Sequence, residues 1–149
     1  MPNLFPVFEV PSALAENAQQ PKKYRPAPLW DFEQGDFAED GARRPVYGSG
    51  YDAWVFWCIK TIRTQRWAHA GYSGNAGVEA EEAFMEPDRN AVESAFEAAI
   101  TEALLADPMG RTLRVHDFKF SWNGDGLRVS CIVSGADGAE AAISASFKN

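Results

Sequence analysis

Between Asn90 and Leu105 the apolar residues Val92, Phe96, Ala99, Ile100 and Ala103 recur in steps of three and four, which places them on one stripe of an α-helix facing a core. Asn90 can cap this helix, with Glu93 reaching back as in a capping box, and Pro108 ends it by pushing Asp107 out of the α region. The period then changes. Leu113 and Val115 share one parity while Phe118, Phe120 and Trp122 share the other, so one strand is expected to bulge at His116 and Asp117. Asn123-Gly124-Asp125-Gly126 supplies a tight hairpin turn, and Leu127, Val129, Cys131 and Val133 return as a half-buried strand. After Gly135-Ala136-Asp137-Gly138 the alternation Ala141, Ile143, Ala145 and Phe147 gives a third strand. A three-stranded meander is the result.

Upstream, Asp52 is read as the cap of a second main helix reaching about Trp67, with Trp54, Val55, Cys58, Ile59 and Ile62 as its buried stripe and Trp57 beside it. Arg63, Arg66 and Trp67 close it, where cations suit the C-terminal dipole. Trp30 to Phe37 alternates large apolar and acidic residues around Gly35, which predicts a short strand, a turn or bulge, and a second short strand near Pro45 to Tyr47. Ala68 to Asn90 is a glycine-rich, then acidic, connection with one helical turn. Its glycines lack the Gly-Lys-Ser/Thr ending of a phosphate loop. Six of the nine prolines lie in residues 1 to 28, so this segment is expected to be an extended arm. Leu4-Phe5, Val7-Phe8 and Val10 are more apolar than a solvated linker requires. They suggest docking on a neighbouring subunit, with the arm mobile in the free protein.

The fold class expected is therefore α+β: a small antiparallel sheet, made of the C-terminal meander and an N-terminal hairpin, packed on two main helices. Residues 1-28 form the arm and residues 29-149 the domain. At 149 residues the chain can bury roughly 68–70% of its unfolded surface without disulfides. Cys58 and Cys131 sit among apolar neighbours and read as buried thiols, and His69 and His116 stand apart from them, so neither a metal nor a cofactor is expected. A net charge of −7 and a pI near 4.8 remove the electrostatic basis for a nucleic-acid partner and leave a protein partner. The tryptophans accordingly read as core rather than as a stacking platform. No basic start precedes an apolar run and no stretch approaches 18 apolar residues, so neither a signal peptide nor a membrane span is expected, and the chain should act in the cytoplasm at least during synthesis. Asp31, Glu33 and Asp36 lack the paired geometry of catalytic carboxylates.

Trp30-Asp31-Phe32 with Gly35-Asp36-Phe37, a helix ending Ile62-x-Thr64-x-Arg66, Tyr72-Ser73 with Gly77, and Leu104-Leu105-x-Asp107-Pro108 before a hairpin follow one another in a known order. The sequence resembles, from about Trp30 to its C-terminus, the baseplate wedge or sheath-initiator proteins of contractile phage tails and related bacteriocin particles, in the variant of Gram-positive prophages. The resemblance implies a non-enzymatic structural domain set in a sixfold ring around the tail tube, assembled in the host cytoplasm and carried in the baseplate. Its implied partners are baseplate wedge proteins, the first sheath ring and the tube or hub. The family's acidic residue-Pro-Arg motif falls on Asp107, Pro108 and Met109, so its arginine is missing and Arg111 is the stand-in. The partner-binding residues this implies are Trp30, Asp31, Phe32 and Asp36, then Arg66, then Asp107, Pro108 and Arg111. Ile143 and Phe147 are added for the free edge of the last strand.

From these residues, Arg111→Ala is expected to leave folding nearly intact while weakening docking. Truncation after Gly138 should remove either a structural edge or the edge on which a sheath strand pairs. A regulatory adaptor of the same fold is the first alternative function, and a cell-wall hydrolase using Glu33 or Asp36 is the remote one.

Overall fold

The computed structural model describes residues 25–149. Most of the expected arm, including Leu4 to Val10, lies outside the described residues. Its last residues do not: β1 (Ala27–Pro28) pairs antiparallel with β4 (Tyr47–Gly48), and β2 (Trp30–Asp31) pairs with β3 (Asp36–Phe37). Glu39 bridges Pro45. At the centre three backbone bonds close a ring, because Leu29 donates to Val46, Val46 to Ala38 and Ala38 to Leu29 at 2.8–2.9 Å. Three short segments thus satisfy one another's backbone without a long strand. The stretch near Pro45 to Tyr47 meets Glu39 and β1 rather than completing the Trp30 hairpin.

Two main helices and one short one follow. Helix α1 (Gly50–Arg63) is capped by Ser49, not Asp52. Asp52 is instead the third residue of the capping box, returning a bond to the Ser49 amide at 2.9 Å. The helix stops at Arg63, short of Trp67, because Gln65 and Val78 form a parallel bridge. Gly77 makes that bridge possible: at φ +97 a Cβ would lie 2.5 Å from the Thr64 carbonyl oxygen. Helix α2 (Ala80–Phe84) is the expected single turn. Helix α3 (Arg89–Leu105) is capped by Asp88, whose carboxylate accepts the Ala91 amide at 2.9 Å, rather than by Asn90. Glu93 is consequently free to accept the Trp122 indole at 2.8 Å.

Strands β5 (Thr112–Asn123), β6 (Gly126–Gly135) and β7 (Glu140–Lys148) form the meander in the order β5-β6-β7. The bulge at His116 and Asp117 is present, with Asp117 at φ +54. A second irregularity between Thr112 and Arg114 turns Leu113 outward, 63% exposed, and Thr112 inward. Leu113 therefore does not share the buried side of Val115 as its parity suggested. Helix α1 packs by β7 and α3 by β5. Between the helices and the sheet lie Trp54, Cys58, Phe96, Ile100, Leu104, Leu127 and Val133, all buried. Trp54 ties α1 to β5 by donating its indole N–H to Thr112 Oγ1 at 3.0 Å.

Candidate functional site

The corner between α3 and β5 is built on Asp107. Its carboxylate accepts the amides of Met109 (3.1 Å) and Arg111 (2.9 Å) and takes the Arg111 guanidinium bidentately, Nε at 2.8 Å and Nη2 at 3.1 Å. Pro108 and Gly110, the latter at φ +60, complete the turn. Burial pushes the Asp107 carboxyl up, but the guanidinium and the two amides outweigh it and hold it below its ordinary 3.8. The Arg111 side chain is only 8% exposed and lies over the Trp57 ring at 5.4 Å. Arg111 is thus placed inside the fold, and its charge is spent on Asp107. What the corner presents outward is apolar: Leu105, Met109 and Leu113 are 47%, 41% and 63% exposed. Sequence reading passed over these three because it sought a charge to replace the motif arginine.

Arg66 is a second internal clasp. Its guanidinium meets Glu79 (2.5 Å) and Glu102 (3.0 Å), joining the end of α1 to α2 and α3. Its bond to Arg66, with a further one from Glu82, holds the Glu79 carboxyl below its usual range.

Asp31 and Asp36 accept nearby backbone amides, Asp31 those of Glu33 and Gln34, Asp36 that of Phe37. They shape the hairpin that displays Trp30, Phe32 and Phe37. On β7, Ile143 is buried and Phe147 is half-buried with its ring 4.7 Å from that of Phe96. Their side chains face the core, so what β7 offers a partner is its backbone edge.

On the open sheet face His116 Nδ1 lies 3.1 Å from Asp117 and Nε2 lies 3.0 Å from Ser134 Oγ. The order looks like that of a nucleophilic triad. The Ser134 hydroxyl, however, donates to the Glu140 carboxylate at 3.2 Å, so its proton is not committed to the imidazole as a triad nucleophile's is. Among the described residues no three His, Cys, Asp or Glu side chains come together to hold a metal. No helix among them is long and apolar enough to cross a membrane.

Cys58 and Cys131 are both free and buried, and burial pushes the thiols up to about 12 and about 11. A thiol reagent at neutral pH should therefore label neither in the folded protein and both in denaturant. Mass spectrometry reads the outcome, and fast labelling of the native chain would show that this core opens.

A family model described as contractile injection system sheath initiator matches residues 27–138. The match opens at β1 and closes before β7. No curated protein matches the chain.

Proposed function

Because the chain belongs to the family of contractile injection system sheath initiators, a structural component of the tail particle, we propose that it joins the baseplate to the first ring of sheath and does no chemistry of its own. In this reading it sits in a sixfold ring around the tail tube, assembled in the host cytoplasm. The apolar corner of Leu105, Met109 and Leu113 meets a wedge protein, and the β7 edge receives a strand from the sheath.

The observation that carries the reading is the open side of β7. Among the described residues the sheet order leaves β7 with one neighbour. Gly135 N–H bonds Ala139 O at 2.8 Å, and alternation along an antiparallel ladder then turns the amides of Ala142, Ser144 and Ser146 away from β6. The Glu140 carbonyl points the same way and is taken by the Tyr51 hydroxyl at 2.9 Å. From Ala142 to Ser146 the edge is left for an incoming strand.

Ser144→Pro tests this. It removes one outward amide and leaves the β6 ladder and the core residues in place, as proline on an edge strand can. The variant subunit should remain folded by circular dichroism while particles imaged by electron microscopy carry baseplates with little or no sheath. Full-length sheath on a folded Ser144→Pro baseplate would rule out the β7 edge. Truncation after Gly138 cannot serve, because it strips Ala141, Ile143 and Ala145 from the core.

A further inference from the structure

We propose that residues 4 to 10, Leu4-Phe5-Pro6-Val7-Phe8-Glu9-Val10, cover an aromatic groove on their own subunit before it assembles. The groove runs between the β2–β3 hairpin and α1, encloses about 420 Å³, and is lined by Trp30, Phe32 and Phe37 on one side and Phe56, Lys60 and Arg63 on the other. Its rings form a continuous surface, with centroids of Trp30 and Phe37 at 5.0 Å, Phe32 and Phe56 at 5.8 Å, and Trp30 and Phe56 at 6.3 Å. Phe32 and Phe37 are nonetheless 44% and 46% exposed. An open aromatic surface of this kind marks a contact site.

Chemistry, backbone and position identify the occupant. Segment 4 to 10 is apolar at Leu4, Phe5, Val7, Phe8 and Val10, and its single charge is Glu9. The rim of the groove is cationic although the chain carries a net charge of −7: the Arg63 guanidinium lies 4.9 Å from the Phe32 ring and the Lys60 ammonium 5.2 Å from the Tyr72 ring. An acidic aromatic segment matches that rim and a basic one is repelled. Pro6 and Pro11 favour the extended backbone that a groove accepts. The described chain begins at Arg25, and Ala27–Pro28 are anchored on β4 just before Trp30. Val10 lies 15 residues upstream of Arg25 (25 − 10), a tether that spans at most about 50 Å and holds the segment at an effective concentration on the order of millimolar. At lower protein concentrations its own groove is therefore occupied before that of a second copy. This departs from the docking on a neighbouring subunit expected from sequence.

The test uses the full-length unassembled subunit, so its result stands apart from sheath nucleation. Amide exchange across residues 4 to 10 should be slowed about tenfold or more, the ratio that about 90% occupancy produces, and equally at two protein concentrations. Phe37→Asp or Arg63→Glu should release the segment, and combining Glu9→Arg with Arg63→Glu should restore the slowing. Exchange at the free-peptide rate overturns the proposal. So does slowing that grows with concentration, which assigns the groove to a second copy, and so does slowing that survives both single substitutions, which puts the segment elsewhere.

Discussion

Arg111→Ala should destabilise the subunit by about 3–5 kcal/mol, the cost of leaving a buried carboxylate without its charge partner. Asp107 would keep only the amides of Met109 and Arg111, and its side chain is fully buried. Because the folded-state carboxyl lies below its ordinary 3.8, the stability it contributes is present above that value and is lost as pH falls through the folded one. In the variant, burial acts without the guanidinium and favours the protonated acid. The deficit against the parent chain should therefore be largest at neutral pH and shrink toward about pH 3. Urea melts at both values measure it. The double variant Asp107→Asn with Arg111→Met should recover only part of the loss at neutral pH, since the amide needs no counter-charge but its single oxygen can accept only one of the two backbone amides that the carboxylate oxygens take separately. A fully stable Arg111→Ala chain would mean that the arginine faces outward, as the sequence had suggested.

Phe96→Ala should cost about 3–5 kcal/mol as well, for a different reason. Phe96 is fully buried on α3 and meets Phe84 edge-on at 5.0 Å and Phe147 at 4.7 Å. Truncation loses the transfer energy of the ring and leaves a cavity that touches a helix turn and the last strand together. At about 2–4 °C per kcal/mol for a chain of this size, the melting temperature should fall by about 6–20 °C. A drop of less than a couple of degrees would place Phe96 outside the core.

Of the motif residues expected to meet a partner, Asp107 and Arg111 are buried and Pro108 is exposed. Asp107, Pro108 and Arg111 were singled out, and all three do shape the corner, but whether an arginine four residues from an aspartate reaches solvent or folds back depends on the turn between them. Gly110 at φ +60 brings the two together. Arg66 is a similar case: its partners Glu79 and Glu102 lie 13 and 36 residues away, beyond any local pattern. Ile143 and Phe147 were assigned to an edge that is real in its backbone, while their side chains belong to the core. Helix caps erred by two or three residues because Ser49, Asp52, Asp88 and Asn90 are all competent caps. Which one bonds an amide is decided by where the helix is held.

Periodicity by itself determined the two main helices, the three strands, the bulge at His116 and Asp117 and most of the core, though not Val78, Ala83 or Leu104, since burial of one face imposes its period directly on the residues. The order of short motifs was enough to indicate the family. Only the tertiary structure decided that Leu113 points outward, that Arg66 and Arg111 are internal clasps, that the open part of β7 begins after Tyr51 caps Glu140, and that Trp30, Phe32, Phe37 and Phe56 converge on one groove. Each of these depends on contacts between residues distant in sequence or on a single backbone dihedral, and neither leaves a repeating trace in the chain.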